Sequence, residues 1–176
     1  MSTLFNDAEV FQKERPTQLT QKQKDDFYSE QAKDLKAQGF STDDEEDIIE
    51  DLKKLYPFND NGFEMAKELD GYGCQATYDI DTNFCEWLDF LHHQYSQIET
   101  KNVKDWVKAH NVQPKFNDGQ KLLIVEKICR GMEKDMIVYA NYKREEEALY
   151  VVDADNTKRG GTLLSYERVE KCCVVA

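Results

Sequence analysis

The spacing of apolar residues predicts amphipathic helices in the first part of the chain. After Thr20, apolar residues recur at intervals of three and four positions, and this pattern stops at Gly39. Thr20 and Gln23 have the arrangement of a capping box, which predicts the start of this helix. A T-x-x-E box at Thr42 predicts the start of a second helix, which Pro57 ends.

The chain beyond Pro57 combines helical and strand patterns. Asn61 predicts the start of a third, shorter helix that ends at Gly71. Small or apolar residues then alternate with polar ones over residues 74–81, which is typical of a short strand. Helical spacing returns over residues 84–98 and again over residues 102–111, so two more helices are predicted.

The last part of the chain predicts a small β unit. Four segments rich in Val, Ile, Leu and Tyr are separated by polar or glycine-containing turns. The predicted strands cover residues 121–129, 135–142, 148–153 and 161–175. Four short strands at this spacing predict an antiparallel sheet, and closure into an SH3-like barrel would remove its exposed edges. The predicted fold class is therefore α+β.

These patterns predict three regions. Residues 1–16 have no clear period and are expected to form an N-terminal arm. Residues 17–113 are predicted to form an acidic helical domain, and residues 114–176 a small antiparallel β domain. Because about 60 residues bury little apolar surface alone, the β domain is expected to pack on the helices.

Charge is concentrated in one quarter of the chain. The protein has 35 acidic and 23 basic residues, a formal net charge of −12. Residues 43–89 hold 15 of the acids and only three bases. This balance excludes a generally basic nucleic-acid binder. No apolar run approaches the roughly 20 residues that span a bilayer, and no signal peptide is visible, so a cytoplasmic protein is expected.

The cysteines indicate neither a disulfide framework nor a bound metal. There are five, an odd number, and none of them forms a C-x-x-C pair. Most are expected to be small buried apolar groups. The sequence therefore predicts no cofactor and no metal site.

A small hydrolase or metal-dependent enzyme is an alternative. Residues 151–157 resemble the first motif of haloacid-dehalogenase-type phosphatases, an apolar strand followed by D-x-D-x-T. The resemblance implies a nucleophilic carboxylate, a second carboxylate that acts as acid and base, and magnesium between them. That fold needs a longer α/β region than the 19 residues that follow Thr157. An enzyme would most simply use Cys85, His92 and Asp153.

Direct nucleic-acid binding through the β unit is a second alternative. Four basic residues lie in two of its turns, namely Lys143, Arg144, Lys158 and Arg159. At the C-terminus, Cys173-Val174-Val175-Ala176 matches a C-a-a-X box for prenylation. The preceding residues 165–171 predict a strand in place of a flexible polybasic tail, so membrane anchoring is not favoured.

The acidic segment supports the main functional hypothesis. Seven of the nine residues in 43–51 are acidic, which exceeds what the helix macrodipole requires, and like charges on adjacent turns repel. A surface that accepts this repulsion is interpreted as a binding site for a basic partner. The predicted partner-binding residues are Asp43, Asp44, Glu46, Asp47, Glu50, Asp51, Asp79, Asp81, Glu86 and Asp89.

The sequence therefore predicts a non-catalytic modulator or inhibitor of a basic protein. The concrete hypothesis is a nucleic-acid mimic, whose carboxylates occupy the basic groove of a nucleic-acid-binding protein. Small acidic anti-defence proteins of phages and mobile elements work in this way. That comparison is an analogy of size and charge.

Overall fold

A computed structural model describes residues 15–58, 60–71, 73–154 and 161–176 of the protein. The predicted arm lies outside these ranges except for its last two residues. The order of elements confirms the α+β class, since four helices precede the first strand of an antiparallel sheet in the described chain. The helices are α1 Gln21–Ala37, α2 Glu45–Lys54, α3 Gly62–Leu69, α4 Thr82–His110 and α5 Tyr166–Cys172. The strands are β1 Gln120–Ile124, β2 Ile137–Arg144, β3 Leu149–Asp153, β4 Thr162–Ser165 and β5 Cys173–Val175.

The chain divides into two compact units. The first, the helical unit, comprises residues 17–100. The second, the β unit, comprises residues 101–176 together with the described residues 15–16. Helix α4 begins in the helical unit, and its residues 101–110 belong to the β unit. No helix in the described ranges is both long and apolar enough to cross a membrane.

Two predicted helix starts in the helical unit are confirmed. Thr20 caps α1, and its capping box with Gln23 is complete. The side chain of Asn61 accepts a hydrogen bond from the N–H of Glu64 at the start of α3, at 3.0 Å. Apolar residues of all four helices meet in one core, whose completely buried members include Leu35, Ile48, Phe84 and Leu88.

The predicted capping box at Thr42 is wrong. Helix α2 begins three residues later, after Asp44, and Thr42 is exposed. The intervening residue Asp43 is held by other contacts: its N–H donates to Ser41, and its carbonyl accepts from the Lys36 ammonium at 2.7 Å. These bonds hold the backbone of Asp43 in a non-helical conformation before α2 begins.

The predicted strand over residues 74–81 is also wrong, because this segment has no strand pairing. The N–H groups of residues 75–77 donate to carboxylates instead of to a neighbouring strand. Asp51 accepts from the first two, and Asp43 accepts from the third at 2.5 Å. Side chains thus satisfy backbone donors that a sheet would otherwise pair.

The two helices predicted over residues 84–98 and 102–111 are one continuous helix, α4. Residues 99–101 contain neither glycine nor proline, so the helical hydrogen bonds continue through them. The helix ends where Asn111 adopts a φ of 48°, a left-handed conformation that asparagine tolerates.

The antiparallel sheet predicted for the β unit is confirmed, but the sheet is open, so closure into an SH3-like barrel is not confirmed. Its strand order is β4-β3-β2-β1-β5, and all its pairings are antiparallel. The strand predicted over residues 161–175 is two short strands with α5 between them. Since β4 and β5 occupy opposite edges, α5 carries the chain from one edge to the other, and the edges never meet to close a barrel.

An aromatic cluster fixes the β-unit core. The rings of Tyr150 and Tyr166 lie 4.4 Å apart at their centroids, and both residues are completely buried. The N–H of Phe116 donates to the hydroxyl of Tyr150 at 3.0 Å, and the hydroxyl of Tyr142 donates to the carbonyl of Phe116 at 2.8 Å. These bonds attach the segment before β1 to the sheet.

Candidate partner-binding surface

The helical unit carries the protein's excess negative charge. Residues 17–100 contain 20 acidic and seven basic residues, a net charge of −13, whereas the whole chain has −12. The ten acidic residues predicted to bind a partner all lie in this unit. The structure separates them into carboxylates that hold the fold together and carboxylates that face solvent.

Asp51 is the clearest structural carboxylate. It is completely buried, and it accepts hydrogen bonds from the N–H groups of Gln75 and Ala76 at 2.9–3.0 Å. The Lys54 ammonium donates at 2.7 Å, and the Tyr78 hydroxyl donates at 3.1 Å. Burial acts to raise the pKa of Asp51, but these four donors outweigh it, so the pKa lies below its usual value.

Asp51, one of the ten predicted partner-binding residues, is therefore a buried structural group. The sequence contained a signal for its position. Asp51 follows Ile48 by three residues and directly precedes Leu52, so it falls within the apolar stripe of α2. A carboxylate at such a position has to find buried donors, and the segment of residues 75–78 supplies them.

Two other predicted residues support the start of helices. Asp81 accepts from the N–H of Phe84 at 2.8 Å and so caps α4. Asp89 accepts from the N–H of Gly62 at 2.5 Å, which attaches the first turn of α3 to α4. The helices approach so closely there that a Cβ on Gly62 would lie 1.8 Å from the carbonyl oxygen of Cys85. Only glycine fits this position without a shift of the backbone.

Apart from Asp43, which accepts a hydrogen bond from the N–H of Thr77, the remaining carboxylates accept no hydrogen bond from a described backbone N–H. Among the described residues, no side chain or N–H donates to the carboxylates of the first group, which consists of Asp44, Glu46, Asp47, Asp79 and Glu86. Four of these five residues are exposed, and Asp47 is partly so. Glu50 is exposed and pairs at 2.6 Å with the similarly exposed Lys53. We call these six residues, Asp44, Glu46, Asp47, Glu50, Asp79 and Glu86, the acidic surface.

Contacts in the core bring the two parts of the acidic surface into neighbouring segments. The N–H of Asp79 donates to the carbonyl of Phe40 at 2.8 Å. The Phe40 ring also packs against Phe84 and Trp87, with centroid distances of 5.2 and 6.4 Å. The segment before α2 thus lies beside the segment before α4 and the first turns of that helix, and Asp43 joins the two segments through its bond to Thr77.

The three residues named for an enzyme are divided between the two units. Cys85 and His92 lie in the helical unit, whereas Asp153 lies on β3 of the β unit. His92 is exposed, and its Nε2 is 3.4 Å from the Ser96 hydroxyl. Over the described ranges, no group of three or more His, Cys, Asp or Glu side chains is placed to hold a metal ion. Residues 155–157 of the phosphatase-like motif lie outside the described residues.

The basic turns and the C-terminal cysteine box belong to the β unit. Arg144 pairs with Glu147 at 3.4 Å, Lys158 and Arg159 lie outside the described residues, and the Lys143 side chain is not described. Cys173 is only 2% exposed, pairs with Ile124 on β1, and burial raises the pKa of its thiol to about 11. The thiol of the C-a-a-X match is therefore inside the folded β unit.

Comparison with known proteins gives no relationship for this chain. No protein-family model matches it, and no curated protein or solved structure shows a significant similarity. The chemistry of its own side chains is accordingly the basis for assigning a function.

Proposed function

We propose that this protein is a non-catalytic modulator or inhibitor that acts in the cytoplasm and presents the acidic surface to a basic protein. The observation that carries the proposal is the division among its carboxylates. The carboxylates of Asp51, Asp81 and Asp89 accept hydrogen bonds from backbone N–H groups, whereas the carboxylates of the acidic surface accept none from a described N–H group. Like charges at this density repel, and a basic partner relieves that repulsion.

The preferred partner is a nucleic-acid-binding protein. Such a protein has a groove of lysine and arginine side chains that neutralise phosphates. The carboxylates of the acidic surface, which lie on α2 and α4 and in the segments just before them, offer the same groove an array of anions. An anti-defence role in a phage or mobile element is one setting for this mimicry.

Capture of the partner is the first test. The immobilised full chain is incubated with lysate of its source cell, and bound proteins are eluted by raising the salt concentration and identified by mass spectrometry. We expect a basic protein to elute at moderate salt, because exposed ion pairs are screened as the Debye length shortens. A gel shift with nucleic acid alone would favour the β unit as a binding module, and substrate turnover would favour an enzyme.

Neutralising part of the acidic surface is expected to weaken binding. The triple variant Asp44→Asn, Glu46→Gln and Asp47→Asn removes three charges without changing side-chain shape. We expect association with the captured protein to slow by about tenfold at low salt, with a smaller effect on dissociation. Stopped-flow or surface-plasmon measurements at low and moderate salt give both rates.

A matched triple variant separates the surface from the net charge. Asp25→Asn, Asp26→Asn and Glu30→Gln make the same charge change on exposed positions of α1. Association should slow less than about twofold if the acidic surface is the binding site. Equal effects of the two triples would mean that only the overall charge matters, and binding unaffected by either triple or by salt would remove the proposal.

Cys85→Ser tests whether the protein is an enzyme instead. Cys85 is half-buried on α4, and its carbonyl, not its thiol, is the group approached by α3. We expect the variant to keep the binding affinity of the parent protein within about twofold, since a serine preserves the side-chain volume. Loss of function in a variant with an unchanged circular dichroism spectrum would point to thiol chemistry.

A further inference from the structure

The helical unit contains a concave hollow, and none of the residues of the acidic surface is among its lining residues. Its volume is about 190 Å³. Side chains from α1, from α2 with the residues just after it, and from α4 form its walls. They are Gln21, Lys24, Tyr28, Lys53, Tyr56 and Tyr95.

Three tyrosine rings give the hollow an aromatic wall. Tyr28 and Tyr95 are each 5% exposed, whereas Tyr56 is 45% exposed at the mouth. The rings of Tyr56 and Tyr95 lie 5.4 Å apart at their centroids. Burial, with a contribution from Tyr56, raises the pKa of Tyr28 to about 12, so this phenol stays neutral and able to donate a hydrogen bond at physiological pH.

Two lysines add positive charge to this wall. The Lys24 ammonium lies 5.9 Å from the centre of the Tyr56 ring. Within the described part of the chain, no carboxylate pairs with Lys24. Lys53 pairs with Glu50, and both side chains are substantially exposed, so a competing anion has access to Lys53. Two of the seven basic residues of a unit with net charge −13 therefore converge on one aromatic hollow.

We infer that this hollow binds a single-ring organic anion, such as an aryl phosphate or an aryl carboxylate. A cavity of about 150 Å³ accommodates a benzene ring, so the volume here suits one ring with a small charged group. The ring stacks on the tyrosines, and the anionic group meets Lys24 and Lys53 at the mouth. Because the surrounding unit is negative, this binding depends on direct contacts with the lysines and not on the long-range field. The inference does not rest on the proposed function, since no residue of the acidic surface lines the hollow, although Lys53 pairs with Glu50 of that surface.

Phenyl phosphate and benzoate are the probes for this site. Each is titrated into the isotopically labelled full chain, and binding is followed by NMR at the tyrosine rings. By analogy with other ligands of about ten non-hydrogen atoms, we expect a Kd of about 1–5 mM. Chemical-shift changes should centre on Tyr28, Tyr56 and Tyr95. Inorganic phosphate and benzyl alcohol, which carry only the charge or only the ring, should bind at least about fivefold more weakly.

Lysine variants test the role of charge. Lys24→Gln is expected to raise the Kd of phenyl phosphate about tenfold, because it removes a hydrogen bond between charged groups. Lys53→Gln should act in the same direction. Lys22→Gln, on the same helix but outside the hollow, should leave the Kd unchanged within about twofold. All three positions are at least partly exposed on helices, and the amide NMR spectrum checks that each variant is folded.

Several results would overturn the inference. One is the absence of shift changes at the three tyrosines up to 20-fold above the expected Kd. Another is equal binding of phenyl phosphate and inorganic phosphate, which would mean a simple lysine–anion contact. A third is an equal loss of affinity in Lys22→Gln and Lys24→Gln, which would show that only net charge is sensed.

Discussion

Replacement of Asp51 by alanine is expected to lower the free energy of unfolding of the helical unit by about 3–5 kcal/mol. The carboxylate is completely buried, and its removal leaves the N–H groups of Gln75 and Ala76 and the hydroxyl of Tyr78 without their acceptor. An unsatisfied buried donor costs about 1–3 kcal/mol. The segment that follows α3 would then lose its attachment to α2.

Urea unfolding gives the measurement. The Trp106→Phe background makes Trp87, in the helical unit, the only tryptophan, so its fluorescence reports this unit. Asp51→Asn should cost less, about 1–3 kcal/mol, because the amide oxygen still accepts hydrogen bonds. Glu50→Ala is the matched control, since Glu50 also pairs with a lysine three residues away but is exposed. It should change stability by less than about 0.5 kcal/mol.

The contribution of the Asp51 carboxylate should also appear in the pH dependence of the free energy of unfolding. Because the pKa of Asp51 is lower in the folded than in the unfolded state, ionised Asp51 stabilises the fold above its unfolded pKa of about 4. This contribution is lost as the pH falls through the lowered folded pKa. The parent protein should therefore lose stability on acidification below about pH 4, and Asp51→Asn should lose less over that interval. If the free energy of unfolding falls equally with pH in the parent protein and in Asp51→Asn, Asp51 is not the group whose protonation destabilises the fold.

Local signals predicted the parts of the fold that depend on neighbours in sequence. The capping box at the start of α1 is an example, since Thr20 and Gln23 lie only three residues apart. Asn61 at the start of α3 is a second example. The α+β class followed in the same way from the change of apolar spacing along the chain.

Contacts between distant residues decided the rest. Asp43 and Thr77 are 34 positions apart, and their bond diverts both segments from the predicted helix start and strand. The helix α5 had a local signal, because Tyr166, Val169 and Cys172 recur every three residues and are all buried. In the sequence, this signal is outweighed by the many strand-favouring residues on either side of it. A segment of seven residues is also too short for the spacing of apolar residues to distinguish a helix from a strand.

The density of acidic residues in the sequence predicted where the acidic surface lies, but not which carboxylates belong to it. The sequence identified the segment, but it could not separate carboxylates that cap helices or satisfy buried N–H groups from those that face solvent. Asp89 illustrates the limit, because its acceptor role depends on Gly62, which lies 27 positions away. From the sequence alone, Gly62 is recognised only as a residue that interrupts regular secondary structure. The structure shows that α3 and α4 approach each other so closely at Gly62 that a side chain would not fit.

Phe84→Ala is expected to have a similarly large effect, about 3–5 kcal/mol, on the stability of the helical unit. Phe84 is completely buried, and its ring packs against Phe40 at 5.2 Å, Tyr78 at 5.6 Å and Trp87 at 6.2 Å between centroids. Truncation removes these contacts and leaves a cavity that three large rings cannot close without moving backbone. Urea unfolding in the Trp106→Phe background again gives the change in free energy.

Phe90→Ala is the control, because it makes the same truncation on the same helix at a residue that is 58% exposed. It should change stability by less than about 1 kcal/mol. The pair also tests how the acidic surface is assembled, since the Phe40–Phe84 contact joins the segment before α2 to the first turn of α4. The binding test uses the milder variants Phe84→Leu and Phe90→Leu, in the absence of urea and under conditions in which both are folded. Relative to the parent protein, Phe84→Leu should bind the captured partner more weakly than Phe90→Leu does. Equal binding by the two leucine variants would mean that the carboxylates on α2 and α4 act separately, and that the Phe40–Phe84 contact serves stability alone.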